Sequence, residues 1–117
     1  MSTNQRITIG LIEEVTLENG KTYKAKIDTG ADSSSIDSSI AQSLGDKKII
    51  SHKYIRSALG RDKRPIISIG IEIQGLSCEE DFTISNRNNL KYKILIGKDV
   101  LQKERFIVDP LLGLESK

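Results

Sequence analysis

Two strand-like runs in this sequence lead straight into glycine turns, and the first of those turns carries a carboxylate. Thr22-Tyr23-Lys24-Ala25-Lys26-Ile27 enters Asp28-Thr29-Gly30-Ala31, and far downstream Ile94-Leu95-Ile96 enters Gly97 and then Lys98-Asp99-Val100-Leu101. Gly30 leaves the backbone free to approach the Asp28 carboxylate without a Cβ in the way, and Thr29 brings a hydroxyl able to pin the turn. Asp, Thr and Gly are ordinary turn residues, so the triplet alone says only that a strand ends. Its context says more. A small polar run, Asp32-Ser33-Ser34-Ser35, follows it, and the later apolar-apolar-Gly turn opens a short helix.

The remaining pattern predicts mostly strands. Ile7 to Leu17 is rich in Ile, Val and Thr, and Asn19-Gly20 is a strong hairpin turn into Lys21 to Ile27. Asp37 can cap a short helix that runs through Ile40, Ala41 and Leu44 and stops at Gly45. Lys48 to Arg56 and Pro65 to Ile73 read as two arms of a hairpin whose tip is the polar segment Ser57 to Lys63, a candidate flap. On the second arm Ile67, Ile69, Ile71 and Ile73 recur with period two and so share one face. Gln74-Gly75 turns the chain into Leu76 to Ser85, and Asn86 to Asn89 form a loop. Tyr92 to Ile96 then enters Gly97, Lys98 to Gln102 makes a second short helix, and Arg105 to Asp109 is a last strand stopped by Pro110.

A chain of 117 residues is expected to form a single domain, residues 1–117, that buries roughly 65% of its unfolded surface. That length is expected to leave no room for a second lobe of similar size. No apolar run is long enough to span a membrane, and Met1 to Arg6 lacks the apolar core of a signal peptide. One cysteine, Cys78, allows no intrachain disulfide, which suits a reducing cytoplasm, and its alternation with Leu76 and Glu80 predicts a packed or half-buried strand thiol rather than a reactive one. A net charge of +2 with scattered cations and 4% aromatics argues against nucleic acid as a partner. The ends, Met1 to Gln5 and Glu115 to Lys117, are expected to fray.

Five segments in order carry a resemblance: Ala25 to Ala31, Arg64-Pro65-Ile66-Ile67, Asn86-Arg87, Ile94 to Leu101, and Phe106-Ile107-Val108-Asp109-Pro110. In these the sequence resembles the retropepsin-like aspartic proteases, and among them the small branch associated with RimK-type glutamate ligases and often labelled "ATP-dependent zinc protease". The resemblance implies a mostly β, closed, acid-protease barrel with one or two short helices. It implies Asp28 as the catalytic carboxylate, Thr29, Gly30 and Ala31 as its loop, and Gly97 in the loop crossing behind.

A single carboxylate is a poor catalyst of amide hydrolysis, whereas two about 3 Å apart share one proton and act as base and acid together. With one Asp-Thr-Gly in the chain, the second carboxylate must come from another copy, so a homodimer is expected. The family association suggests a glutamate-rich peptide or poly-glutamate as substrate. Arg61, Arg64, Arg87 and Lys98 would then recognise carboxylates, and each reads equally well as a solvated charge or a structural hydrogen bond. One His (His52), one Cys and no Gly-rich phosphate loop supply neither a closed zinc site nor an ATP site, so no cofactor and no metal are expected. Two other readings stay open: a catalytically silent domain binding a peptide or protein, and a retroelement-type polyprotein protease, which the polar hairpin tip disfavours.

Overall fold

The computed structural model describes residues 6–113, and the expected fraying of Met1 to Gln5 and Glu115 to Lys117 lies outside them. The chain is mostly β. Its strands run, in order, β1 (Thr8–Ile9), β2 (Ile12–Leu17), β3 (Thr22–Ile27), β4 (Ser35–Asp37), β5 (Ile49–Ser57), β6 (Gly60–Ile73), β7 (Leu76–Ser85), β8 (Ile94–Ile96) and β9 (Ile107–Val108). Two short helices, α1 (Ser38–Ser43) and α2 (Lys98–Lys103), complete the described residues.

The main sheet has the order β2-β3-β8-β4-β7-β6-β5, and a further pairing of β2 with β6, through Thr16 opposite Glu72 and Leu17 opposite Ile71, joins its strands into a ring. Period-two alternation turns the apolar face of each strand inward, so Val15, Ala25, Ile67, Ile69, Ile71, Ile73, Phe82, Ile94 and Ile96 are all buried together. Burying this face is the main stabilising term, at about 25 cal/mol per Å² of apolar area removed from water. The turns follow their local chemistry. Gln74 and Gly75 both take positive φ, 50° and 80°, as a two-residue hairpin turn between paired strands requires.

Three local readings are corrected. The run from Ile7 to Leu17 is two strands: Gly10 breaks it where its N–H donates to Glu13 Oε2 at 2.7 Å, so that β1 leaves to pair in parallel with β9 while β2 pairs with β3. The polar run after Asp28 ends in a strand, β4, inserted between β7 and β8, where Ile36 is fully buried. The hairpin tip is only Ala58-Leu59, because Ser57 pairs with Gly60 and the ladder continues through Arg56↔Arg61, Ile55↔Asp62, Tyr54↔Lys63 and Lys53↔Arg64. The basic cluster therefore lies along the arm, and the tip presents Leu59, wholly exposed at 101%.

Candidate active site

Asp28 stands one residue past the end of β3. Its backbone N–H donates to Ile96 O at 2.9 Å, extending the parallel β3–β8 ladder by one bond and fixing where the side chain emerges. The carboxylate is half-buried, and its Oδ1 accepts the Gly30 N–H at 2.9 Å. Ala31 N–H donates to Asp28 O at 3.2 Å and completes the turn. A Cβ on Gly30 would stand 3.3 Å from Asp28 Oδ1, so the smallest residue lets amide and carboxylate meet. Among the described residues no hydrogen bond uses Asp28 Oδ2 or the Thr29 hydroxyl, and Thr29 is exposed. Among the described residues the turn is pinned by backbone amides.

Behind this turn lies a buried network built on two residues to which sequence reading assigned no role. Ser34, fully buried, donates its hydroxyl to Asp99 Oδ1 at 2.8 Å and its backbone N–H to Asp99 Oδ2 at 3.1 Å, and its Oγ accepts the Gly97 N–H at 2.9 Å. Gly97 is required by close approach, since a Cβ there would lie 2.8 Å from the carbonyl oxygens of both Ala31 and Ser33. Lys98 N–H donates to Ala31 O at 2.8 Å, which locks the two glycine turns together. The signal for Asp99 was present in the quoted Gly97-Lys98-Asp99 run. Its partner, Ser34, sat in a run of three serines with nothing local to mark it.

The four cations named from sequence are spread over different surroundings. Lys98 pairs with Asp32 at 3.0 Å, and its ammonium holds the Asp32 carboxyl below the usual range. Arg64 Nε pairs with Asp62 at 3.0 Å, and the Arg61 guanidinium lies 5.3 Å from the Tyr54 ring centre. Arg87 is half-buried: its Nε donates to Tyr92 O at 3.0 Å, and burial lowers its pKa while the charges of Asp37 and Asp28 raise it. Its backbone N–H donates to Asp37 Oδ1 at 2.6 Å. Asp37 is also the N-cap of α1, accepting from Ser39 N–H at 3.0 Å and from the Ser39 hydroxyl, which holds its carboxyl below the ordinary value. Lys53, on β5, donates to the Ser33 hydroxyl and ties the hairpin to the loop that follows Asp28.

One trio of potential ligands gathers among the described residues: Cys78, Glu80 and Glu104, with ligand atoms within 4.8 Å of one another. It does not fit zinc, because Lys103 Nζ already stands 3.2 Å from Glu80 Oε1 and supplies the positive charge there. Burial pushes the Cys78 thiol up to about 12, the opposite of a reactive thiolate. His52 is exposed on β5 and joins no such group.

Comparison with known proteins bears on the family and the fold. The model of the RimB-like family, described as retropepsin-like aspartic endopeptidase RimB, matches residues 37–114. The chain belongs to that family. The matched span holds the Gly97 turn, Asp99 and Arg87, and the Asp28 turn lies just before it. Among solved structures, a Legionella pneumophila protein of unknown function is similar with a TM-score of 0.67 and 22% identity, over 92% of this chain and 96% of that one. The simian foamy virus protease is similar at a TM-score of 0.63 and 19% identity over 78% and 91% of the two chains. The EIAV protease, solved with an inhibitor, is similar at 0.61 and 17% identity over 88% and 91%. These likenesses establish a shared retropepsin-like fold. Over 66 residues the chain is 30% identical to a probable alpha-L-glutamate ligase of Shewanella halifaxensis and 29% identical to one of Shewanella pealeana. It spans 14% of the length of these curated relatives.

Proposed function

We propose that the chain is one half of a dimeric aspartic peptidase that hydrolyses glutamate-rich peptides or poly-glutamate through Asp28 and its counterpart on a second copy. The observation that carries this is Asp28 itself: a half-buried carboxylate anchored by backbone on both sides, with Oδ1 held by Gly30 and Oδ2 accepting no hydrogen bond from a described residue. An isologous two-fold contact would bring two such groups together, and two carboxylates about 3 Å apart hold one proton between them.

The chemistry then balances without a covalent intermediate. The ionised carboxylate takes a proton from water as its oxygen attacks the amide carbonyl, and the protonated partner gives its proton to the carbonyl oxygen. The tetrahedral species collapses as the C–N bond breaks: one carboxyl of the dyad protonates the leaving nitrogen, and the other carboxylate takes back a proton from a gem-diol hydroxyl as the product carboxyl forms. The Gly97 turn and the Ser34–Asp99 network hold the Asp28 turn from behind, which keeps the carboxylate in one geometry. The glutamate preference is supported by the likeness to segments of probable glutamate ligases and by the cation Arg87, whose charge and that of Asp28 act on one another.

Sedimentation with and without a glutamate-rich peptide, run beside a hydrolysis assay on that peptide and on an apolar one, tests the reading. A dimer that cleaves the acidic peptide, with cleavage abolished in a dimeric Asp28→Asn variant, is the expected result. A strictly monomeric species that still hydrolyses, or full activity in Asp28→Asn, would overturn it.

A further inference from the structure

Successive residues of a strand point to opposite faces, so Lys26 lies on the outer face of β3 while Ala25 and Ile27 are buried inside. On that outer side, beside the strand that delivers Asp28, lies a groove of about 620 Å³. Its lining combines apolar side chains, Leu11, Leu90 and Leu95 among them, with the cations Lys26, Arg87 and Lys91. Its lining includes no acidic residue, whereas a neighbouring groove bounded by Glu13, Glu14 and Glu72 has three.

The backbone from Arg87 to Leu90 on one side of the groove is held in place before any ligand arrives. Arg87 N–H is fixed to Asp37, Leu90 N–H donates to Arg87 O at 3.0 Å, and Lys93 Nζ reaches Arg87 O at 3.3 Å and Asn88 O at 2.5 Å. A preformed wall avoids the ordering cost that a mobile loop would add on binding. An apolar lining that also carries cations suits a side chain with an aliphatic stem and a terminal carboxylate.

We infer that this groove is the subsite that seats a glutamyl side chain next to the scissile bond, with Lys26 and Lys91 as the exposed cations that select its carboxylate and the half-buried Arg87 as a further cation of the same lining. This rests on the peptidase reading above and adds to it where selectivity lies. It moves that role away from Arg61, Arg64 and Lys98, none of which lines this groove, while Lys91, whose ammonium lies 5.5 Å from the Tyr92 ring centre, does.

The test is a binding measurement that needs no turnover. Fluorescently labelled hexaglutamate and hexaglutamine are titrated into Asp28→Asn and into the same protein carrying Lys26→Met and Lys91→Met, at low and high salt, with anisotropy as readout. Both lysines are exposed, so the variant is expected to fold. The double change should weaken hexaglutamate binding by roughly tenfold or more, leave hexaglutamine binding unchanged, and remove most of the salt dependence. Equal hexaglutamate affinity with and without the lysines overturns the subsite. If the binding difference stands but the unaltered protein cleaves no peptide, the groove is upheld and the peptidase reading falls.

Discussion

Ser34 and Asp99 meet in a two-point contact, hydroxyl to Oδ1 at 2.8 Å and backbone N–H to Oδ2 at 3.1 Å, although 65 residues separate them in the chain. The same Ser34 hydroxyl oxygen receives the Gly97 N–H at 2.9 Å. One buried side chain therefore joins the segment after Asp28 to the turn that crosses behind it.

Ser34→Ala should destabilise the fold by about 1–3 kcal/mol, because it removes a small group but leaves the Gly97 amide and one Asp99 oxygen without this partner in a buried place. Urea unfolding gives the value. A change below a few tenths of a kcal/mol would show that the network adds nothing to stability.

Gly97→Ala should cost roughly 2–4 kcal/mol and, under the peptidase reading, most of the activity. The backbone at Gly97 is extended, φ −103° and ψ −171°, so conformational freedom is not the issue. The cost arises because the added Cβ meets two carbonyl oxygens at 2.8 Å, and backbone on both sides must move. Thermal unfolding beside the hydrolysis assay reads both effects.

Glu80 should make stability fall as pH rises. It is 2% exposed with Oε2 unpartnered among the described residues, and burial pushes its carboxyl from the ordinary 4.5 up to about 7, against the opposing pull of Lys103. The folded chain then holds this proton more tightly than the unfolded chain, so its contribution is full below about pH 4.5 and is lost as pH climbs to about 7. Glu80→Gln should flatten that slope, with a gain of order 1–3 kcal/mol at pH 8 relative to the unaltered protein when the two are matched at pH 4. Parallel stability curves for the two proteins from pH 4 to pH 8 would contradict the assignment.

Legibility in the sequence followed the range of the forces involved. The cap at Asp37, the turns at Asn19-Gly20 and Gln74-Gly75, the isoleucine face of β6 and the paired glycine turns were readable, since each depends on side chains within a few residues of one another. The hairpin arm was misjudged because Arg61, Asp62, Lys63 and Arg64 are polar enough to suggest a loop. Pairing with β5 overrides that preference when one face of a ribbon remains in water.

By itself the sequence determined a mostly β chain with one acidic glycine turn and a second glycine turn further on, because turn chemistry and period-two burial are local properties of the covalent chain; its retropepsin-like character was legible only as a resemblance. Only the tertiary structure decided that Gly10 ends one strand and begins another, that β4 lies between β7 and β8, that Ser34 belongs to Asp99, and that Lys26 shares a groove with Arg87. Those relationships join residues distant along the chain, and they arise where the ring of strands closes and buried polar groups must find their hydrogen-bond partners.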